Sequence, residues 1–155
     1  MTPAIKLLES RKIAHRTVSY DHDPSAASYG TEAAETLGID PSIVFKTLLA
    51  NVDTTLVVAV VPVTGMLDLK ALARAARGKK ATMADPAVAE RTTGYVVGGI
   101  SPLGQRKRLP TFVDESALGL DEMYVSGGRR GLEIVLAPPD LIAILGATTG
   151  PIAAQ

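Results

Sequence analysis

Two apolar segments with a short polar break between them constrain this chain more than any other feature. Ile43 to Ala50 and Leu56 to Val61 are rich in β-branched and apolar residues, and Asn51-Val52-Asp53 with the following Thr pair supplies a turn. The pair therefore reads as a β-hairpin. The second segment, Leu56-Val57-Val58-Ala59-Val60-Val61, is apolar throughout. A strand with one wet face would alternate, so this strand is expected to be covered on both faces. Lys46 interrupts the first segment between Ile43-Val44-Phe45 and Thr47-Leu48-Leu49. A lysine is rarely buried without a partner. Either its stem snorkels to solvent at a sheet edge or its head faces a polar site, and the sequence leaves both readings open.

Shorter elements surround this hairpin. Thr2 before Pro3 predicts a capped helix over 3–11, with Ile5, Leu7 and Leu8 marking its apolar face. His15 to Tyr20 alternates like a strand, and the stretch from Asp21 to Gly30 reads as a loop. A helix is expected over 31–37, ending at Gly38. Asp68 caps a helix running to about Arg77, with Leu69, Leu72, Ala73 and Ala76 on one face and Gly78 as its stop. Ala81 to Ala84 reads as a short strand, and Asp85-Pro86 opens a helix through about Arg91. Further strands are expected at Tyr95–Val97, Thr111–Asp114, Met123–Ser126 and Leu132–Leu136, the last two joined by the loop Gly127-Gly128-Arg129-Arg130-Gly131. Pro138-Pro139-Asp140 starts a final helix closed by Gly146, and the tail from Ala147 is expected to fray. Strands outnumber helices and several are hairpin-connected, which predicts an α+β fold with a mostly antiparallel or mixed sheet. No repeat or linker divides the 155 residues, so 1–155 is expected to be one domain.

Composition removes several kinds of chemistry. With no cysteine, a disulfide framework, a thiolate nucleophile and a Cys-ligated zinc are excluded. His15 and His22 lack metal-ligand spacing; His22 within Asp21-His22-Asp23 is a candidate member of a carboxylate site, with solvated loop residues as the plainer reading. No metal and no cofactor are expected, and no metalloprotease, Walker, GxSxG or dinucleotide motif occurs. The N-terminus has no secretory pattern, and the longest apolar run is about a third of the roughly 20 residues a spanning helix needs. A cytoplasmic protein without a membrane partner is expected.

The loop Gly98-Gly99-Ile100-Ser101-Pro102-Leu103-Gly104 is the most informative local feature. Adjacent glycines let backbone approach a ligand, and their N–H groups suit a phosphate or a developing oxyanion. A tight turn without a ligand is the plainer reading. Arg106-Lys107-Arg108 follow directly, so a phosphate chain entering the loop would meet them, while Lys79-Lys80 and Arg129-Arg130 form two further basic clusters. Solvated faces are the default for all three. Lys plus Arg and Asp plus Glu each total 16, so nucleic acid would have to meet a local patch or be delivered by another protein.

Taken together, Thr2-Pro3-Ala4, Tyr20-Asp21-His22-Asp23-Pro24, Lys46-Thr47-Leu48-Leu49, Leu67-Asp68-Leu69-Lys70, Met83-Ala84-Asp85-Pro86, Thr93-Gly94-Tyr95, Gly98 to Gln105, Arg108-Leu109-Pro110-Thr111 and Tyr124-Val125-Ser126-Gly127-Gly128 run in the order of one family. The chain resembles the YbaK/EbsC type of Cys-tRNA(Pro) deacylase, related to the editing domain of prolyl-tRNA synthetase, from Thr2 to about Leu145. The resemblance implies a curved, barrel-like sheet surrounded by helices. It also implies hydrolysis of the aminoacyl ester of mischarged Cys-tRNA(Pro). A small apolar pocket separates cysteine from proline by only about 1–3 kcal/mol, so a separate editing step is needed.

Site roles follow from the resemblance. Lys46 would hold the 3′-terminal adenosine or the ester without becoming a covalent nucleophile. Gly98 and Gly99 would offer backbone N–H groups to the carbonyl oxygen. Tyr20, Ser101, Ser126 and Glu133 would bind substrate, with Glu133 standing where the family pattern has Asp. Arg106, Lys107, Arg108, Arg129 and Arg130 are candidate tRNA backbone contacts. The substrate's own thiol would attack its carbonyl and release a thiolactone. Partners implied are cysteine-charged tRNA(Pro) and prolyl-tRNA synthetase, and no DNA. Deacylation of Ala- or Ser-charged tRNA is the nearest alternative. A non-catalytic tRNA- or nucleotide-binding module is the alternative of another class.

Overall fold

The computed structural model describes residues 1–23 and 29–154. The hairpin stands at its centre. β2 (Phe45–Val52) pairs antiparallel with β3 (Thr55–Pro62) over its whole length, from Phe45 opposite Pro62 to Val52 opposite Thr55. β3 is buried from Val57 onward. Val58 and Val60 belong to one apolar cluster with Leu8, Leu103, Val125 and Leu141, whereas Val57, Ala59 and Val61 belong to a second with Leu72, Phe112 and Ile152. The unbroken apolarity of this strand is thus explained by a core on each face.

Around the hairpin, β5 (Ala81–Met83), β6 (Thr111–Asp114) and β9 (Thr148–Gly150) complete a five-stranded sheet in the order β5-β2-β3-β6-β9. Its β5-β2-β3 part is antiparallel, while β3-β6 and β6-β9 are parallel, so the sheet is mixed. It does not close into a barrel: β5 and β9 are its two edges. β1 (Arg16–Ser19), β8 (Leu132–Leu136) and β7 (Met123–Ser126) form a second, antiparallel sheet. A bridge between Val44 and Tyr124 links it to the start of β2. With its helices, the chain has the α+β architecture expected.

The helix signals act where the sequence puts them. α1 (Pro3–Ser10) has Thr2 as its N-cap, and the Thr2 hydroxyl also donates to the Gly127 carbonyl, tying the helix to the β7–β8 loop. α3 (Leu69–Ala75) and α4 (Pro86–Thr93) are capped by Asp68, which accepts from Ala71 N–H at 3.0 Å, and Asp85, which accepts from Ala87 N–H at 2.8 Å. Such caps contribute about 1 kcal/mol each. α5 (Pro138–Leu145) starts at its proline pair.

Four expectations need correction. The loop from Asp21 to Gly30 is cut short, because α2 (Tyr29–Leu37) begins at Tyr29; residues 24–28 lie outside the described residues. α3 stops because Arg77, not Gly78, takes the left-handed conformation (φ 58°). Tyr95–Val97 is not a strand. Side chains satisfy this backbone instead: Glu90 accepts from Val97 N–H at 2.8 Å and Arg130 donates to the Val97 carbonyl. The tail does not fray. β9 joins the main sheet, β10 (Ala153–Ala154) pairs with β4 (Met66–Leu67), and Ile152 is fully buried. Asp114 fixes this turn by accepting from Ile152 and Ala153 N–H at 3.0 and 2.9 Å.

Candidate active site

β5 pairs only with Ala50 to Val52, so the earlier half of β2 keeps an open edge. A cavity of about 350 Å³ lies along that edge. Its walls include Tyr20, Lys46, Thr47 and Leu48 on one side and Met83, Ala84, Val97, Gly98, Ser126, Arg129 and Glu133 around the rest. The size suits a small ligand group rather than a folded chain.

Lys46 resolves the ambiguity left by the sequence: it is half-buried, and it lines the cavity. Burial lowers its pKa, and it has no ion-pair partner among the described residues. Glu133, on β8 opposite Ser126, is buried and also lines the cavity. Burial raises its carboxyl to about 8. An adjacent ammonium would pull that value down, so Lys46 does not neutralise Glu133, and no salt bridge joins them. The carboxyl is therefore mostly protonated near neutral pH and can donate a hydrogen bond. Tyr20 is pushed up to about 12, first by burial and then by Glu133 and Glu32, so its hydroxyl stays neutral. Ser126 Oγ accepts from Gly128 N–H at 3.2 Å, which orients it at the cavity wall.

The glycine loop divides into parts with different jobs. Gly98 lines the cavity in a conformation (φ 90°) that L side chains rarely adopt, and its N–H has no acceptor among the described residues. Gly99 differs: its N–H already donates to the Val96 carbonyl at 2.8 Å. A Cβ there would lie 2.8–2.9 Å from the backbone of Arg129 and Arg130, so glycine is needed for loop packing. Ser101 is fully buried, and its Oγ accepts from Leu103 N–H inside the loop; it does not line the cavity. Tyr95 Oη donates to the Leu103 carbonyl at 2.7 Å, and Gly104 lies against the Pro3–Ala4 backbone. The N-terminal Thr2-Pro3-Ala4 segment is thus wedged between the glycine loop and the Gly127–Gly131 loop, bracing both walls of the cavity.

The arginines separate likewise. Arg129 lines the cavity. Arg130 donates from Nε and Nη2 to the Val97 carbonyl at 3.0 and 2.6 Å. Arg106 packs over Gly94, and Arg108 lines a separate cavity with Arg11 and Gln105 while donating to the Leu145 carbonyl; Arg106, Lys107 and Arg108 do not line the main cavity. His22, expected as a solvated residue, bonds through Nδ1 to Glu32 at 2.8 Å. That bond and one from Asp23 N–H hold the Glu32 carboxyl below its usual range.

Of the described polar side chains that line the cavity, Thr47 had no site role in the sequence reading. Thr47 Oγ1 is buried in the cavity wall without a hydrogen-bond partner. Its position beside Lys46 was the only available signal. Among the described residues, no three His, Asp or Glu side chains are grouped to hold a metal ion, and no helix is long and apolar enough to cross a membrane.

Residues 23–144 match the model of the aminoacyl-tRNA editing domain. The chain belongs to this family. It is 39% identical over 153 residues to a protein of Enterococcus faecalis named "Putative Cys-tRNA(Pro)/Cys-tRNA(Cys) deacylase EbsC", covering 98% of this chain and 91% of that one. Among solved structures, one described as "a putative trans-editing enzyme for prolyl tRNA synthetase" superposes with a TM-score of 0.85 at 25% identity, covering 100% of this chain and 99% of the other. Another, described as a hypothetical protein, superposes at 0.88 with 22% identity over 99% and 100% of the two chains, a likeness of fold. Family membership makes this an aminoacyl-tRNA editing protein with deacylase chemistry, acting on charged tRNA.

Proposed function

We propose that the chain, acting as one editing domain over 1–155, cleaves the aminoacyl ester of Cys-tRNA(Pro) with the substrate's own thiol as nucleophile. The observation that carries this reading is the make-up of the cavity. It holds an unpaired lysine, a buried carboxyl and an open glycine N–H. Among the described lining residues there is no cysteine or histidine, and the one serine, Ser126, accepts from a backbone N–H and makes no hydrogen bond to Lys46 or Glu133. Deacylation then needs a nucleophile from elsewhere. The side-chain sulfur of the esterified cysteine attacks the carbonyl carbon. The C–S bond forms, the bond to the ribose oxygen breaks, and the thiol proton ends on that oxygen. The products are a cysteine thiolactone and free tRNA.

In this scheme Lys46 stabilises the negative charge of the 3′-terminal nucleotide or the developing oxyanion. Gly98 N–H faces the carbonyl oxygen, a kind of donor whose loss typically costs about 10²–10³ in rate. Neutral Glu133 and the Thr47 and Ser126 hydroxyls orient the aminoacyl group. The name of the Enterococcus faecalis relative, which includes Cys-tRNA(Pro), supports the choice of amino acid. Equal numbers of acidic and basic residues suit a protein that receives its tRNA from prolyl-tRNA synthetase in the cytoplasm. The likeness to a structure described as a trans-editing enzyme for that synthetase supports the partnership.

The test compares Cys-tRNA(Pro) with its thiol-alkylated form and with Ser-tRNA(Pro). Loss of cysteine at least a hundredfold faster than loss from either analogue is expected. Equal rates would rule out attack by the thiol.

A further inference from the structure

Of the chain's 16 lysines and arginines, Lys70, Arg74, Arg77, Lys79 and Lys80 fall within eleven consecutive residues that contain no acid. All five are exposed. α3 buries Ala71, Leu72 and Ala73 against the sheet, which leaves Lys70 and Arg74, one turn apart, on its outer face. Arg77 and then Lys79-Lys80 follow the helix end. None of the five has an ion-pair partner among the described residues. Three acids that flank this segment in the chain or bond to it are engaged with backbone: Asp68 caps α3, Asp85 caps α4, and Asp53 accepts from the N–H groups of Lys79 and Lys80.

This cationic surface runs into the candidate active site. Lys80 immediately precedes β5, and Met83 at the other end of β5 is exposed and lines the cavity. Three residues of strand separate Lys80 from Met83 by only about 10 Å. The other basic clusters are placed differently: Arg129 lines the cavity itself and so belongs to the site already described. Arg106 to Arg108 do not line this cavity, and Arg130 is bonded to Val97. A cavity of this size holds the esterified end of a tRNA, so the rest of the polyanion must leave across the rim.

We propose that the Lys70–Lys80 segment is an RNA-docking surface that takes the phosphate backbone of the tRNA acceptor end, with Lys79 and Lys80 nearest the cavity mouth. The inference rests on the reading of the cavity as the site of a tRNA ester. Phosphate contact of this kind carries no sequence information, which fits a protein whose choice of tRNA is made elsewhere.

The experiment measures affinity of the full chain for uncharged tRNA against salt concentration. It uses the parent, K79A/K80A, K79E/K80E and R106A/K107A, with thermal midpoints to check folding. Removing one phosphate-binding cation reduces the log–log salt slope by about 0.7–0.9. K79A/K80A is expected to lower the slope by about 1.5 and weaken binding about five- to tenfold near 100 mM salt. K79E/K80E should weaken it further. In deacylation assays the loss should appear in KM, with kcat unchanged. R106A/K107A removes the same charge and should weaken binding less than twofold. Equal losses in the two alanine pairs, or a larger loss in R106A/K107A, would overturn the proposal. So would parent-like RNA binding by K79A/K80A, including the case where that variant loses only its hold on an acidic protein. If the parent cleaves no ester yet K79A/K80A loses RNA, the activity reading fails and the docking surface stands. If the parent cleaves esters and K79A/K80A binds RNA as the parent does, the surface alone fails.

Discussion

Glu133→Gln should stabilise the protein at neutral pH, and the gain should grow as pH rises. The Glu133 carboxyl ionises at about 8 in the fold, against an ordinary value of 4.5, because burial disfavours its charged form. Between these two values the folded chain holds a proton that the unfolded chain has released. Stability therefore falls as pH rises through that window, by about 1.4 kcal/mol for each pH unit. The cost is absent below about pH 4.5, reaches about 3 kcal/mol near pH 7 and levels off near 5 kcal/mol above pH 8. Glutamine keeps the size and a hydrogen-bond donor but does not titrate. Urea unfolding of the parent and E133Q at about pH 4.5, 7 and 9 isolates this group, since all other titrations are shared. The two curves should meet at the acid end and separate in favour of E133Q above it. Curves that stay parallel across the whole range would refute the claim that Glu133 is a buried, unneutralised acid. E133Q should also keep most of its deacylase activity near pH 7, where the parent's carboxyl is itself neutral.

Three further outcomes follow from the same geometry. Gly99→Ala should cost about 1–3 kcal/mol in thermal or urea unfolding, because its Cβ would meet the Arg129–Arg130 backbone, whereas a pure donor role would leave stability untouched. Ile152→Ala should cost about 2–5 kcal/mol in the same assay, since Ile152 is fully buried under the C-terminal strands; a frayed tail would show no loss. Thr47→Val removes a buried hydroxyl that has no partner, so it should raise stability by about 1 kcal/mol while raising KM for charged tRNA, and an unchanged KM would remove Thr47 from the substrate site.

Much of the scaffold could be read before the structure because its signals are local. The β2–β3 hairpin followed from unbroken apolarity, and α3 and α4 from aspartate caps whose acceptors lie within three residues. The misread segments depend on distant partners. Val97 looks like strand, yet its backbone groups are taken by Glu90 and by Arg130, 33 residues away. The tail from Ala147 lacks any apolar period, and it is organised by pairing with β6 and β4 and by Asp114, 38 residues upstream of Ile152. His22 finds Glu32 across a segment that looked like open loop.

The candidate site divides in the same way. The fold brings Lys46, Gly98, Tyr20, Ser126 and Glu133 to one cavity. Composition and periodicity alone would not have gathered them, because they come from separate strands and loops. Gly99 and Ser101 sit in the same motif as Gly98 but face the Arg129–Arg130 backbone and the loop interior, a distinction that only packing creates. The basic clusters looked equivalent as sequence, and their different distances from the cavity arise from the path of the chain.

The most direct test of the account measures deacylation of Cys-tRNA(Pro), Ala-tRNA(Pro) and Pro-tRNA(Pro) by the parent and by Lys46→Ala, with prolyl-tRNA synthetase present. Rapid loss of cysteine alone, falling at least a hundredfold in Lys46→Ala, is the predicted result. Preferential loss of alanine, or cysteine release that Lys46→Ala leaves unchanged, would contradict it.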